Sequence, residues 1–300
     1  MKRRLGSIFL AMATFGASLV GVSLGAAEVI VEKDIVYGTG GGKDLKLDLA
    51  RPDHASGLLP ALVFIHGGGW QGGNREMYGN EILEAAKRGY VAVTVSYRLS
   101  DPDAAGKPRN PFPAQIEDVK CAIRWLRANA EKYHVDPNRI GATGGSAGGH
   151  LSLLAGVTGT SKEFQGAGGH AGVSSQVQAV VNYFGPTDMP RLYVISKGAA
   201  VVLDHLFGET PEKAAAPYKA ASPITYVTKD APPILTIHGT ADPVVPVEQA
   251  TEFDAAMRNA GAPHTLLLIQ GAGHGFSGKG NKTASDAMYK FFDDHLKNKS

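Results

Sequence analysis

A single cysteine, Cys121, stands in 300 residues, which excludes an intrachain disulfide framework. Strong charge of either sign is also missing. Lysine and arginine number 30 against 28 acidic residues, a formal net charge of +2, so no basic face for nucleic acid is implied. Neither a Walker lysine nor a G-x-G-x-x-G spacing accompanies the glycines around Ser146, which weighs against a Gly-rich phosphate cradle there. The chain contains no internal repeat and no linker that would set off a second domain. Cys121 lies in the helical pattern "EDVKCAIRWLRANAEKY", where a free cysteine serves as a small buried apolar residue.

The one extended apolar run is at the start. "MKRRLGSIFLAMATFGASLVGVSLGAA" begins with Lys2, Arg3 and Arg4 and ends in small residues before Glu28, the order of a secretory signal peptide. Residues 1–27 are expected to be removed, with cleavage after Ala27 or after Gly25. The run is interrupted by Gly, Ser and Thr and lacks a stop-transfer pattern, so a retained membrane anchor is the lesser alternative. Losing three basic residues turns the formal charge from +2 to −1. The expected product is secreted or periplasmic, with no stable membrane insertion after cleavage.

Residues 28–300 read as one α/β domain. "EVIVEKDIVYG" and "KDLKLDLARP" form a hairpin across "TGGG". Six runs follow: "ALVFIHG", "YVAVTVSYR", "RIGATGG", "VQAVVNYFG", "PPILTIHGT" and "HTLLLIQGAG". Their Val and Ile content and weak polar alternation fit strands covered on both faces. Helix-length segments lie around Glu81–Arg88, Phe112–Tyr133, Ala147–Val157, Val247–Asn259 and Ala284–Lys297. The pattern predicts a doubly wound, mostly parallel sheet behind an N-terminal antiparallel hairpin. Thr158–Ser175 is expected as a surface loop. Pro186–Pro233 is too long for a strand connection and is expected as a small cap over the carboxyl ends of the strands.

Glycine inside regular structure is unfavourable by about 0.5–1 kcal/mol, yet Gly144-Gly145-Ser146-Ala147-Gly148 concentrates it where a strand run meets a helical one. The G-x-S-x-G pattern alone is weak: Gly21-Val22-Ser23-Leu24-Gly25 matches it inside the leader. Only the later match has strand–turn–helix context, where the serine must sit on a sharp, strained turn with its hydroxyl above the sheet edge. Side chains two residues before and two after would collide with neighbouring backbone, hence the glycines. A serine needs a base, and the base needs an orienting acid. Asp242 in "HGTADPVVP" and His274 in "GAGHGF" each follow a later strand run, giving the order Ser, Asp, His this architecture requires. Ser146 is the expected nucleophile, His274 the proton shuttle and Asp242 the orienting acid. Asp242 has a rival reading as a turn residue before Pro243, and Glu248 is a weaker rival acid. His238 is expected to brace a loop, His150 to pack beneath the serine, and His66 to bond within its own loop.

"FIHGGGW" supplies a loop whose N–H groups can approach a substrate oxygen without side chains in the way. Gly68, Gly69 and the amide of Ala147 are the expected oxyanion donors. Removing one such donor typically costs about 2.7–4 kcal/mol in the transition state. Trp70 lines the substrate pocket or packs under its loop. Asp188 contacts substrate or caps a loop, the second reading being the stronger. "SGKGNK" after His274 is expected as a solvated loop.

"HGGGW", "GGSAGG", "HGTADPVVP" and "GAGHGF", in this order and each after a strand run, resemble the α/β-hydrolase superfamily across residues 28–300. Within it, the chain is similar to secreted bacterial esterases of the acetyl xylan and feruloyl type. It is less close to the hormone-sensitive-lipase-like esterases, which it resembles through "HGGGW" and "VSYRLS" with "FPAQIEDV". That group usually carries Asp immediately before the nucleophile, where this chain has Gly145. The resemblance implies an acyl-serine mechanism without metal or organic cofactor, acting on short acyl or aromatic acyl esters, including acetyl or feruloyl decorations of plant polysaccharide. It implies structural roles for Arg98 and Asp118. Alternatives are a serine peptidase of the prolyl-oligopeptidase type and a hydrolase fold kept only for binding. Oligomeric state is left open.

Overall fold

The computed structural model describes residues 28–297; the leader reading of residues 1–27 lies outside them. The first strands, β1 (Val29–Gly40) and β2 (Lys43–Pro52), form the expected hairpin. Six more follow: β3 (Leu59–Ile65), β4 (Val91–Val95), β5 (Val135–Gly145), β6 (Ala179–Tyr183), β7 (Ile234–Gly239) and β8 (His264–Ile269). They join one sheet in the order β1-β2-β4-β3-β5-β6-β7-β8. Only the β1–β2 and β2–β4 pairs are antiparallel. The inner strands β3 and β4 are buried along nearly their whole length, as their continuous Val, Ile, Leu and Phe content requires of strands covered on both faces.

The helices are α1 (Gly79–Lys87), α2 (Ala114–Ala128), α3 (Ala130–Tyr133), α4 (Ala147–Val157), α5 (Met189–Ile195), α6 (Lys197–Phe207), α7 (Ala215–Ala220), α8 (Glu248–Asn259) and α9 (Gly278–Phe292). Ile82 and Ala85 of α1 and Met288 and Phe292 of α9 pack against Leu62, Phe64 and Ile237 on one face of the sheet. Ile123 and Leu126 of α2, Leu151 and Leu154 of α4, and Phe253 of α8 pack on the other. Apolar burial on both faces, at about 25 cal/mol per Å² removed from water, makes the wound sheet the scaffold for every loop at its carboxyl edge. Helices α5, α6 and α7 lie in the expected cap segment between β6 and β7.

One expectation is corrected. "SGKGNK" is not a solvated loop, because α9 begins at Gly278, with Ser277 at its N-cap in extended conformation. The apolar stripe Ala284, Met288 and Phe292 is buried, and its packing carries the helix back through two glycines whose intrinsic propensity opposes it.

The loop Thr158–Ser175 is tied down from α2. The Lys120 ammonium donates to the carbonyls of Thr158 and Glu163 (2.8 and 2.9 Å), and Arg124 Nε to that of Gly169 (3.1 Å). Burial lowers the Lys120 pKa to about 8. Arg98 pairs with Asp118 through Nη2–Oδ1 at 2.7 Å and also donates to Ala114 O; both residues hold the loop after β4 to α2.

Candidate active site

Sheet order places the site. Strands β3 and β5 are parallel neighbours with Ile65 opposite Gly144, so "HGGGW" and the serine turn leave the sheet side by side, where the winding reverses and ligands of such sheets bind. Asp242 follows β7 and His274 follows β8, and their loops are joined by Ala241 N–H donating to Ala272 O at 2.9 Å.

Ser146 has φ 57° and ψ −121°, a region that costs a non-glycine residue about 1–3 kcal/mol. It is held there by its own N–H, which donates to Tyr183 O (2.9 Å) on β6, and by its carbonyl, which accepts the His150 N–H (3.0 Å). A Cβ on Gly148 would overlap the Ile65 carbonyl oxygen and lie 2.7 Å from that of His66; one on Gly144 would lie 2.7 Å from the Gly148 carbonyl carbon. These glycines let the turn press against β3, as the steric reading of the motif requires.

The three separated residues meet. His274 Nε2 lies 2.9 Å from Ser146 Oγ, and His274 Nδ1 lies 2.8 Å from Asp242 Oδ2. The other carboxylate oxygen of Asp242 accepts the N–H groups of Val244 and Val245 at 2.8 and 2.9 Å. Burial alone would raise the Asp242 pKa, but the hydrogen bonds from His274, Val245 and Val244 outweigh it and hold the carboxyl below its ordinary value. An ionised, acceptor-only carboxylate fixes the proton of His274 on Nδ1 and leaves the Nε2 lone pair facing the serine hydroxyl. Glu248 opens α8 and takes no part.

In the loop after β3, Gly68 and Gly69 have φ 109° and 58°, and Gly68 O accepts the N–H groups of Gln71 and Gly72. The N–H groups of Gly68, Gly69 and Ala147 have no protein acceptor among the described residues, and Ala147 is the first residue of α4, where N–H groups are free of helical partners. Gly68, Gly69 and Ser146 share a cavity of about 560 Å³ with Met77, Leu192 and Val202, so its walls are mainly apolar and α5 and α6 of the cap form one side.

Trp70 satisfies both of its readings. It borders this cavity, yet it is buried under the loop, and its Nε1 donates to His150 Nδ1 at 3.2 Å. His150 Nε2 then donates to Ala221 O at 2.7 Å, and burial depresses its pKa to about 4. His66 bonds Gly67 O through Nδ1 (2.7 Å) and stacks on Tyr97 at 4.2 Å. His238 Nε2 bonds Val245 O at 2.8 Å, bracing the acid loop. Asp188 is corrected from its substrate reading. Its carboxylate caps α5 by accepting the Arg191 N–H at 2.9 Å, and it is outside the cavity lining.

Two residues without a motif in the sequence, Phe184 and Tyr78, border the site. Phe184, directly after β6, has φ 40°, unusual for a bulky residue, and sets its ring edge-on to His274 with centroids 4.8 Å apart. Tyr78 ends the 3-10 turn Arg75–Tyr78, and burial pushes its phenol up to about 12. The signal available for Phe184 was its place just past a strand end; Tyr78 had none. No group of three or more His, Cys, Asp or Glu side chains among the described residues is arranged to hold a metal ion. No helix among them is long and apolar enough to cross a membrane.

A wound parallel sheet with Ser146, Asp242 and His274 beyond the ends of β5, β7 and β8, beside a glycine loop, defines an α/β-hydrolase. The chain belongs to the BD-FAE family, whose profile matches residues 47–257. Esterase LipC of Mycobacterium tuberculosis is 38% identical over 234 residues, covering 75% of this chain and 55% of that protein. The chain spans about half the length of the curated relatives it matches. A truncated form of a carbohydrate esterase from gut microbiota superposes with a TM-score of 0.78 at 32% identity, covering 92% of this chain and 99% of that one. Thermogutta terrifontis esterase 2 phosphorylated by paraoxon gives 0.72 at 28% identity, covering 91% and 95%.

Proposed function

We propose that this protein is a serine carboxylesterase cleaving short acyl or aromatic acyl esters, among them esters carried on carbohydrate. The observation that carries the reading is the continuous chain Asp242 Oδ2, His274, Ser146 Oγ, with contacts of 2.8 and 2.9 Å. Ser146 Oγ attacks the ester carbonyl while its proton passes to His274 Nε2, and Asp242 stabilises the resulting imidazolium. The oxyanion is met by the N–H groups of Gly68, Gly69 and Ala147, which are free of protein acceptors. His274 returns the proton to the leaving alcohol, and the acyl group stays on Ser146. Water, deprotonated by the same imidazole, then releases the acid and restores the serine.

The apolar cavity wall suits an acyl group. The carbohydrate part rests on kinship with a protein described as a carbohydrate esterase. Export rests on Lys2, Arg3, Arg4 and the apolar stretch that ends at Ala27.

The test is Ser146→Ala, assayed on 4-nitrophenyl acetate and butyrate with circular dichroism as the folding control. Hydrolysis is expected to vanish with the fold intact, and a folded variant that still turns over ends the proposal.

A further inference from the structure

The glycine loop after β3 is poorly determined by its own residues. Gly68, Gly69 and Trp70 follow one another at φ 109°, 58° and 58°, and the two glycines have no side chain to restrict them. Within the loop, Gly68 O accepts the N–H groups of Gln71 and Gly72 at 3.1 and 3.0 Å. From below, the Trp70 ring is tied to His150, and the Trp70 carbonyl accepts the Ser100 N–H at 2.8 Å. From above, the cap holds it. Gln71 Nε2 donates to Val202 O at 3.2 Å, and His205 Nδ1 lies 3.1 Å from Gln71 Oε1. A peptide carbonyl only accepts, so the amide nitrogen faces Val202 and the amide oxygen faces His205, whose Nδ1 then donates. Val202 and His205 stand one turn apart on α6. The Val202 side chain also covers Gly69, where a Cβ would lie 3.0 Å from its Cγ1. The same helix is anchored at its start, because Ser196 Oγ donates to Val244 O at 2.9 Å in the acid loop. From Ser196 to Val202, about 9 Å along the axis, α6 thus joins the loop that carries Asp242 to the loop that carries the oxyanion donors.

On the esterase reading above, we infer that Gln71 is a positioning residue for the reaction. Through α6 it fixes the N–H groups of Gly68 and Gly69 where the substrate oxygen becomes negative. Gln71 borders the cavity, but both ends of its amide are engaged by α6, so it acts through the loop backbone and not by holding substrate. Oxyanion donors work by alignment with the charged oxygen of the transition state, and a misplacement of about 1 Å costs about 100-fold. Acylation and deacylation both pass through an oxyanion, so a slack loop slows both. It lowers kcat and leaves KM in place.

The test compares full-length wild type with three variants on 4-nitrophenyl acetate. Gln71→Met keeps the side-chain length and loses both hydrogen bonds; His205→Ala and His205→Asn form a pair, since the asparagine amide nitrogen stands where Nδ1 stood. Rates are expressed per active site, counted by exhaustive reaction with a fluorophosphonate. Gln71→Met is expected to lose about tenfold to 100-fold in kcat, with KM within about twofold and a full count of sites. His205→Ala is expected to lose about threefold or more in kcat, and His205→Asn to stay within about twofold of wild type. Wild-type kcat in Gln71→Met, a change in KM alone, or a loss accounted for by fewer sites overturns the role. So does His205→Ala at the wild-type rate, or His205→Asn no better than His205→Ala, and this pair decides alone where Gln71→Met does not fold. Wild type inactive on the ester overturns the esterase reading instead.

Discussion

Gly148→Ala is the sharpest single-atom challenge to the serine turn. The added methyl would lie 2.7 Å from His66 O and closer still to Ile65 O, both backbone atoms of β3 and the loop it feeds. Ile65 is held in register with Gly144 on β5, so the carbonyl has little room to retreat, and α4 must move away from β3. In a free helix the change would be favourable by about 1 kcal/mol. Overpacking of a rigid contact costs about 1–3 kcal/mol, so the net change is a destabilisation of up to about 2 kcal/mol. Activity suffers more. Ser146 lies two residues upstream, and a displacement of about 1 Å at a reacting atom costs roughly 100-fold. Gly145→Ala is the control, because the nearest atoms to its Cβ, at 3.2 and 3.3 Å, belong to the Phe184 ring, a side chain and not backbone. Thermal unfolding and kcat/KM on 4-nitrophenyl acetate should therefore separate the two variants. A Gly148→Ala protein with wild-type stability and rate would refute the steric account of the motif.

Three further outcomes follow from the same geometry. Asp242→Asn keeps the shape but loses the ionised acceptor that fixes the His274 tautomer, so kcat should fall by about 10⁴; a fall of less than tenfold would contradict the role of the acid. His150 is buried with its pKa lowered to about 4, so between there and the unfolded value of about 6.5 the unfolded chain binds the extra proton and stability drops as pH falls. That drop amounts to about 3 kcal/mol at most, and His150→Gln should flatten the Tm profile between about pH 4 and pH 6.5 relative to wild type; an unchanged slope would refute it. Lys120→Met removes the ammonium from the Thr158 and Glu163 carbonyls; Thr158 O keeps the Ser161 N–H, so the loss should cost about 1–3 kcal/mol and raise amide exchange across the 158–175 loop. Unaltered exchange there would show that the ammonium does not hold it.

Much of this arrangement was legible in the sequence because its signals are local. The elbow, the glycine loop and the Asp and His turns each sit within a few residues of a strand end, and the alternating strands and helices dictate which edge those ends share. Continuous apolar runs marked β3 to β7 because a doubly covered strand needs apolar side chains on both faces. What stayed hidden was set by distant contacts. The start of α9 depends on Ala284 and Met288 packing against the sheet, which overrides the glycines of "SGKGNK". For Asp188 the stronger of two readings holds, because the turn into α5 aims its carboxylate at the helix N-terminus; that this also takes it out of the cavity lining is set by the fold. The ring position of Phe184, and a second cavity between α1 and α9, arise only when those helices, some 200 residues apart in the chain, meet over the end of β6.

In the proposed reaction Ser146 carries the acyl group between the two half-reactions. Rapid acid quench of the enzyme during turnover of 4-nitrophenyl acetate, followed by peptide mass spectrometry, tests it directly. One acetyl group is expected on the peptide containing Ser146, accumulating in His274→Ala only at a much reduced rate. Turnover with Ser146 unmodified, or acetylation at another residue that supports the same rate, would contradict it.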